Sequence, residues 1–158
     1  MGLRLPGQED KDCFFVTTSF LDHRRLGELP GVYEVLADSL LFYSQRESVR
    51  IAGYVFMPSH IHLLMMVDGN RLGAMMRDFK AFSSKKLGEK IGSGTQWESR
   101  YDRVVIETLH VFQTKLNYIH DNPVKAGLCE KPEEWLWSSA ANYATETRGL
   151  IPVWKDWW

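Results

Sequence analysis

The chain has 158 residues, of which 44% are hydrophobic and 13% aromatic, and its formal net charge is −1. This balance argues against a protein that coats nucleic acid without preference, because such binding depends on an excess of Lys and Arg. Two cysteines are too few for a disulfide framework and no long uncharged apolar run occurs, so we expect a cytoplasmic protein without a membrane span.

The first half of the chain predicts three strands and one helix. Residues 13–19 (CFFVTTS) are rich in aromatic and β-branched side chains, which favour a strand. From residue 30 to about residue 45, apolar residues recur at three- and four-residue spacing, which is typical of a core-facing helix. Residues 49–57 and 60–67 are two extended apolar runs. The Pro58-Ser59 connection between them is short enough for a hairpin.

The second half predicts helices around one short strand. Its elements are a helix from Arg71 to about Lys86, a flexible loop over residues 88–95, a strand over 103–107, a helix over 109–122 and a short helix near 137–143. The helix over 109–122 contains neither Gly nor Pro in its interior. We expect it to end at Asn122, because a residue before proline is disfavoured in the helical conformation and Pro123 follows.

The order of these elements is β-α-β-β-α-β-α. It predicts an α+β fold with a ferredoxin-like (split β-α-β) antiparallel sheet and an added C-terminal helix. We expect a single domain over residues 1–158, with its core in about residues 13–143. The tail over residues 144–158 contains Trp154, Trp157 and Trp158, which we expect to pack on this frame.

Two histidines stand two residues apart in a predicted strand. Because side chains alternate between faces along a strand, His60 and His62 point to one side of the sheet, while Ile61 and Leu63 point to the other. Two imidazoles on one face are able to bind one cation. An isolated H-x-H sequence is more often a partly exposed, hydrogen-bonded pair. The spacing by itself therefore leaves both interpretations open.

Tyr118 does not belong to the apolar stripe of its own helix. It lies about 140° from the centre of that stripe, and Asn122, four residues on, lies about 40° from Tyr118. A hydroxyl and an amide oxygen are thus expected to project from one face. An exposed tyrosine before a helix-ending Asn-Pro is an equally ordinary explanation of the same pattern.

Two segments resemble motifs of a known enzyme family. YVFMPSHIHLLM (Tyr54–Met65) resembles the metal-binding segment of HUH-type tyrosine transposases, in which two histidines flank one hydrophobic residue. LNYIHDNPVKAGL (Leu116–Leu128) resembles the tyrosine helix of the REP-associated branch of that family. WESRYDRVVI (Trp97–Ile106) and EEWLWSSAANY (Glu133–Tyr143) are also similar to the family. Together the resemblance covers most of residues 13–143.

The resemblance implies a metal-dependent transposase that acts on dispersed palindromic repeats. His60, His62 and Asn122 would be ligands of Mg²⁺ or Mn²⁺, and Tyr118 would be the nucleophile. Attack by the tyrosine would leave a 5′-phosphotyrosine and a free 3′-hydroxyl on single-stranded or hairpin DNA. Relatives differ in oligomeric state, and a homodimer is one arrangement that we consider.

A basic segment offers candidate contacts to DNA phosphates. Residues 71–90 contain six basic residues (Arg71, Arg77, Lys80, Lys85, Lys86, Lys90) and two acidic ones (Asp78, Glu89). We expect phosphate contacts from Arg77, Lys80, Lys85 and Lys86, extended by Arg100 and Arg103. A solvated helix face explains the same charges equally well.

The chain lacks the motifs of two other enzyme classes. A nucleotide hydrolase with a histidine-rich motif needs a third histidine where Leu64 stands, and a 2H phosphoesterase needs two H-x-[ST] motifs, which the chain lacks. A non-catalytic regulator that binds hairpin DNA or RNA through the same sheet stays open. Such a regulator would bind without metal and would tolerate loss of Tyr118.

Overall fold

Four antiparallel strands form one sheet in the computed structural model, which describes residues 10–46, 48–145 and 149–157. They are β1 (Cys13–Ser19), β2 (Val49–Phe56), β3 (His60–Val67) and β4 (Asp102–Val105). Their order across the sheet is β2-β3-β1-β4, so that β3 lies between the two strands that precede it in the chain. This is the split β-α-β arrangement, and the predicted ferredoxin-like α+β fold is confirmed.

Helices cover both faces of the sheet. They are α1 (Val32–Ser44), α2 (Gly69–Ile91), α3 (Leu109–Lys125) and the short α4 (Ala140–Ala144). Helices α1 and α2 share one apolar core with one face of the sheet, and α3 shares a second core with the opposite face. The second core is smaller and includes Phe112, Leu116 and Ile119 of α3. None of the helices in the described ranges is both long and apolar enough to cross a lipid bilayer.

Helix α2 is longer than the sequence pattern predicted. It begins after Asp68, whose carboxylate accepts a hydrogen bond from the backbone N–H of Asn70 at 2.8 Å and caps the helix. At the other end it runs through Gly88, where a loop was predicted, because one glycine lowers helix propensity without breaking the helix and the preceding Leu87 is buried. The helix stops at Gly92, which has a φ of +104°.

Helix α3 continues past the proline at which it was predicted to end. Pro123 has no N–H to donate to the preceding turn, but the later carbonyls remain bonded: Asn122 O accepts from Ala126 N at 3.0 Å. The ring of Pro123 is buried, so its packing helps to hold the last turn. Gly127, with a φ of +75°, ends the helix in the left-handed conformation. The prediction of a stop at Asn122 was therefore wrong by one turn.

The chain after α3 packs along β2. Phe56 N donates to Trp137 O at 2.8 Å and Ser139 N donates to Tyr54 O at 2.9 Å. The segment predicted as helix from residue 137 therefore first forms a turn with one bridge to β2, and α4 begins only at residue 140. Further along, Trp157 packs on Phe112 with 4.2 Å between ring centroids. Trp158, predicted as part of this aromatic tail, lies outside the described residues.

Candidate active site

His60 and His62 lie on the face of the sheet that α3 covers. Strand alternation places Ile61 and Leu63 in the opposite core with α1 and α2, as predicted. The two imidazole centroids are 4.7 Å apart and the ring planes are inclined by 75°. His62 is buried, with 4% of its surface exposed, whereas His60 is half-buried. The pair therefore has one ring in the protein interior and one toward its surface.

Each imidazole has a hydroxyl partner on Nδ1. Thr17 Oγ1 lies 2.8 Å from Nδ1 of His62, and Ser59 Oγ lies 3.1 Å from Nδ1 of His60. These contacts are compatible with hydrogen on Nδ1 and a lone pair on Nε2, the tautomer of a metal-binding imidazole. The Nε2 atom of His62 is buried, and none of the described residues hydrogen-bonds to it. A buried polar nitrogen without a partner is costly unless it serves a ligand.

Tyr118 of α3 lies next to His62. Thr108 caps the start of α3 by accepting a hydrogen bond from Val111 N, and the apolar side of the helix is buried against the sheet. Tyr118 lies off that buried side and is 43% exposed. Its ring makes an edge contact with His62, at 5.3 Å between centroids. Tyr118, which the sequence predicted to lie off the apolar stripe, thus lies beside the buried His62.

Phe15 of β1 joins the histidine to the tyrosine. Its ring stacks on His62 at 5.2 Å between centroids and meets the edge of Tyr118 at 5.9 Å. Contacts of this kind favour defined ring orientations as well as burial. The three rings come from β1, β3 and α3. The packing of α3 on these two strands therefore determines the position of the Tyr118 ring.

Both histidines are held in the neutral form. Burial is the main cause that lowers the pKa of His62 to about 3, with smaller contributions from the nearby His60 and Lys115. Burial also lowers the pKa of His60, with a smaller contribution from His23. An unprotonated imidazole is the form that binds a metal. At neutral pH both rings therefore present a free lone pair.

The donor atoms fit a divalent cation in part. His60 and His62 supply two imidazoles side by side, and Nε2 of His62 is a buried donor without a protein partner. Among the described residues, no third His, Cys, Asp or Glu side chain joins them to form a group of three ligands. Asn122 is half-buried one turn beyond Tyr118, and no hydrogen bond to either histidine is found within the described ranges. Its role as a third ligand stays a prediction.

The predicted phosphate-contacting residues lie elsewhere. Arg77, Lys80, Lys85 and Lys86 belong to α2, and the sheet separates α2 from Tyr118. Lys80 Nζ donates to the carbonyl of Glu98 at 2.5 Å. Arg100 is exposed just before β4, and Arg103 lies on β4 opposite Val16. The structure does not bring the α2 residues together with Tyr118, and the assignment of all six to DNA contact stays a prediction.

Three residues of the site were missed by sequence reasoning: Phe15, Thr17 and Lys115. Period-two alternation places Phe15 and Thr17 on one face of β1, but only the pairing register, in which Thr17 lies opposite His62, brings them to the histidine. Lys115 precedes Tyr118 by three residues, and this spacing along a helix is itself a signal of adjacency.

Comparisons with known proteins agree with the fold. The chain is 24% identical over 139 residues to the REP-associated tyrosine transposase of Escherichia coli (strain K12), a match covering 87% of this chain and 79% of that protein. A solved structure of a REP-associated tyrosine transposase bound to a REP hairpin superimposes with a TM-score of 0.73 at 20% identity, over 92% of this chain and 87% of the other.

A second solved structure is more distant. It is a protein of Deinococcus radiodurans R1 assigned as a transposase, with a TM-score of 0.52 at 15% identity, and the match covers 75% of this chain and 95% of that one. No family model matches the chain.

Proposed function

Because the chain resembles REP-associated tyrosine transposases in both sequence and fold, we propose that it cleaves and rejoins single-stranded or hairpin DNA through a covalent 5′-phosphotyrosine. The observation that carries this proposal is the contact between Tyr118 and His62, at 5.3 Å between ring centroids. An exposed tyrosine beside a buried imidazole with a free Nε2 supports this chemistry, because a nucleophile and a candidate metal-binding group are adjacent.

The reaction is a transesterification that conserves the phosphodiester. Tyr118 Oη attacks the phosphorus, its proton passes to water, and a new P–O bond forms to the tyrosine. The bond from phosphorus to the 3′ oxygen breaks, and that oxygen leaves as a hydroxyl after taking a proton from water. Attack by a 3′-hydroxyl on the phosphotyrosine reverses these steps, so that rejoining needs no nucleotide cofactor.

A divalent cation, Mg²⁺ or Mn²⁺, is part of the proposal. His60 and His62 would hold it through their Nε2 atoms, with Asn122 as third ligand. When bound, it supplies positive charge against the phosphate oxygens. Two features of the protein favour cation binding at this place. Both imidazoles are neutral, and their Nδ1 atoms contact the hydroxyls of Ser59 and Thr17.

Hairpin DNA is the substrate that the comparisons favour. The relative solved with a REP hairpin aligns with 92% of this chain. The exposed side of Tyr118 leaves its hydroxyl approachable from solvent. With one such tyrosine per chain, two cleavages need two chains or successive use of one site, and a homodimer stays a prediction that gel filtration would test.

The test is covalent capture of labelled DNA. Single-stranded oligonucleotides with and without hairpins are incubated with Mg²⁺, Mn²⁺ or EDTA, and protein-DNA adducts are scored on a denaturing gel. We expect an adduct that requires metal and disappears in Tyr118→Phe. Tyr101→Phe is the matched control, because Tyr101 packs with the opposite core. Cleavage without an adduct would indicate hydrolysis, and binding without cleavage across the panel would favour the regulator.

A further inference from the structure

Lys115 carries an ammonium group next to the proposed nucleophile. Its Nζ atom lies 5.9 Å from the centroid of the Tyr118 ring and 4.8 Å from that of Phe15. The side chain is half-buried, and it is the ammonium nitrogen itself that lies near these two rings. Lys115 and Tyr118 are three positions apart in α3, so both project from the same side of the helix.

The charge of Lys115 acts inside the site. Its Nζ atom lies over the ring of Phe15, and that ring stacks on His62 at 5.2 Å between centroids. In the part of the chain that the structure describes, no carboxylate forms an ion pair with Lys115. An ammonium held by two aromatic rings and without a counter-ion remains able to bind an anion.

The other candidate cations do not reach this place. Those of α2 lie beyond the sheet, and Lys80 among them is already bonded to the carbonyl of Glu98. Lys125 of α3 lies about three turns further along the helix and is exposed. Lys115 is therefore the cation that the ring contacts bring to Tyr118.

From this geometry we propose that Lys115 is a further catalytic residue, whose ammonium binds a non-bridging oxygen of the phosphodiester that Tyr118 attacks. This inference rests on the proposed function. Charge builds up on the phosphate oxygens and on the leaving 3′ oxygen during transfer, and a fixed cation stabilises that charge more than it stabilises the bound DNA. Lys115 exchanges no proton in this role. Its contribution is electrostatic and requires only that the side chain stay positively charged.

The experiment compares Lys115→Met, Lys115→Arg and Lys125→Met with the wild-type protein. Methionine keeps an unbranched apolar stem for the contact with Phe15 and removes the charge. Rates of adduct formation are measured at saturating hairpin DNA and saturating Mn²⁺ in a single turnover, and hairpin affinity is measured separately in EDTA. Circular dichroism and thermal melting establish that each variant is folded.

We expect Lys115→Met to slow adduct formation by about tenfold to a hundredfold with hairpin affinity changed by less than about threefold. Lys115→Arg should recover much of that loss because the charge is kept, and Lys125→Met should match the wild type. An unchanged rate in Lys115→Met overturns the inference while leaving the proposed function intact. So does a loss confined to affinity, because Lys115 would then only hold DNA. Absence of any wild-type adduct instead overturns the proposed function, and the inference with it.

Discussion

Thr17 and His62 lie directly opposite each other on β1 and β3, and Thr17 Oγ1 is 2.8 Å from Nδ1 of His62. The contact fixes one nitrogen of a buried ring and leaves the other, Nε2, without a partner among the described residues. A group that orients a metal-binding imidazole in this way raises metal affinity without touching the metal. If His62 binds the proposed cation, Thr17 acts through His62 by orienting its ring.

We predict that Thr17→Val weakens the response to metal. Valine keeps the shape of threonine but cannot hydrogen-bond to His62, so the ring loses its preferred tautomer and orientation. The Mn²⁺ concentration needed for half-maximal adduct formation should rise by about tenfold or more. It is measured by titrating Mn²⁺ at fixed hairpin DNA.

The neighbouring threonine provides the control for that prediction. Thr18 is buried to 1% exposure on the other face of β1, and its hydroxyl has no partner among the described residues. Thr18→Val should leave the metal response unchanged and should not destabilise the fold. If Thr17→Val and Thr18→Val raise the Mn²⁺ requirement equally, the cause is a change in strand β1 and not the lost hydrogen bond to His62.

A second prediction concerns acid stability. Burial is the main cause that lowers the pKa of His62 to about 3 and that of His120 to about 4, from the usual value of 6.5 for histidine. Between these values and 6.5 the unfolded chain binds more protons than the folded one, so stability is fully present above about pH 6.5 and falls as the pH drops. Lowering the pH from 7.5 to 5 should cost about 2 kcal/mol for each of these histidines.

Urea unfolding in EDTA at the two pH values measures this change. His62→Asn should remove about 2 kcal/mol of the pH dependence, because asparagine does not titrate in this range. His110→Asn is the control, since His110 is exposed in the first turn of α3. A pH dependence that stays the same in His62→Asn contradicts the assignment of a buried neutral His62.

The third prediction concerns how α3 is attached to the sheet. His120 Nε2 lies 2.8 Å from Ser139 Oγ, and that oxygen also accepts from Tyr54 N at 3.0 Å. One buried hydroxyl thereby links α3, β2 and the segment before α4. Ser139→Ala should lower the free energy of unfolding by about 1–3 kcal/mol, because it leaves buried groups without their partner.

Chemical denaturation compares Ser139→Ala with Ser93→Ala, whose side chain is exposed in the loop after α2. If the Ser139 link also sets the position of Tyr118, adduct formation should slow in the folded variant under conditions where unfolding is negligible. A variant as stable as Ser93→Ala would show that water replaces the serine hydroxyl at no cost.

The sequence predicted the parts of this site that depend on local periodicity. The pairing of His60 with His62 followed from strand alternation, and the separation of Tyr118 from its apolar stripe followed from helical spacing. The contact of Thr17 with His62, across 45 positions, depends on strand register, and that of His120 with Ser139 depends on how α3 crosses β2. Neither is encoded in local spacing. The end of α3 was mispredicted because burial of the Pro123 ring outweighs the tendency of a proline to end the helix at the residue before it.

The last prediction concerns Asn122, which lies within α3 because the helix continues to Lys125. A helical residue keeps a fixed direction relative to Tyr118, one turn earlier, and so an amide oxygen at this position faces the same side. Asn122→Ala should raise the Mn²⁺ requirement for adduct formation about tenfold, whereas Asn122→Asp should lower it, because Mg²⁺ and Mn²⁺ favour carboxylate oxygen. Asp121→Asn, at the exposed neighbouring position, is the control. If Asn122→Ala and the wild type show the same Mn²⁺ requirement, the amide is not a ligand, and His60 and His62 bind the cation with oxygens of water and DNA in the remaining positions.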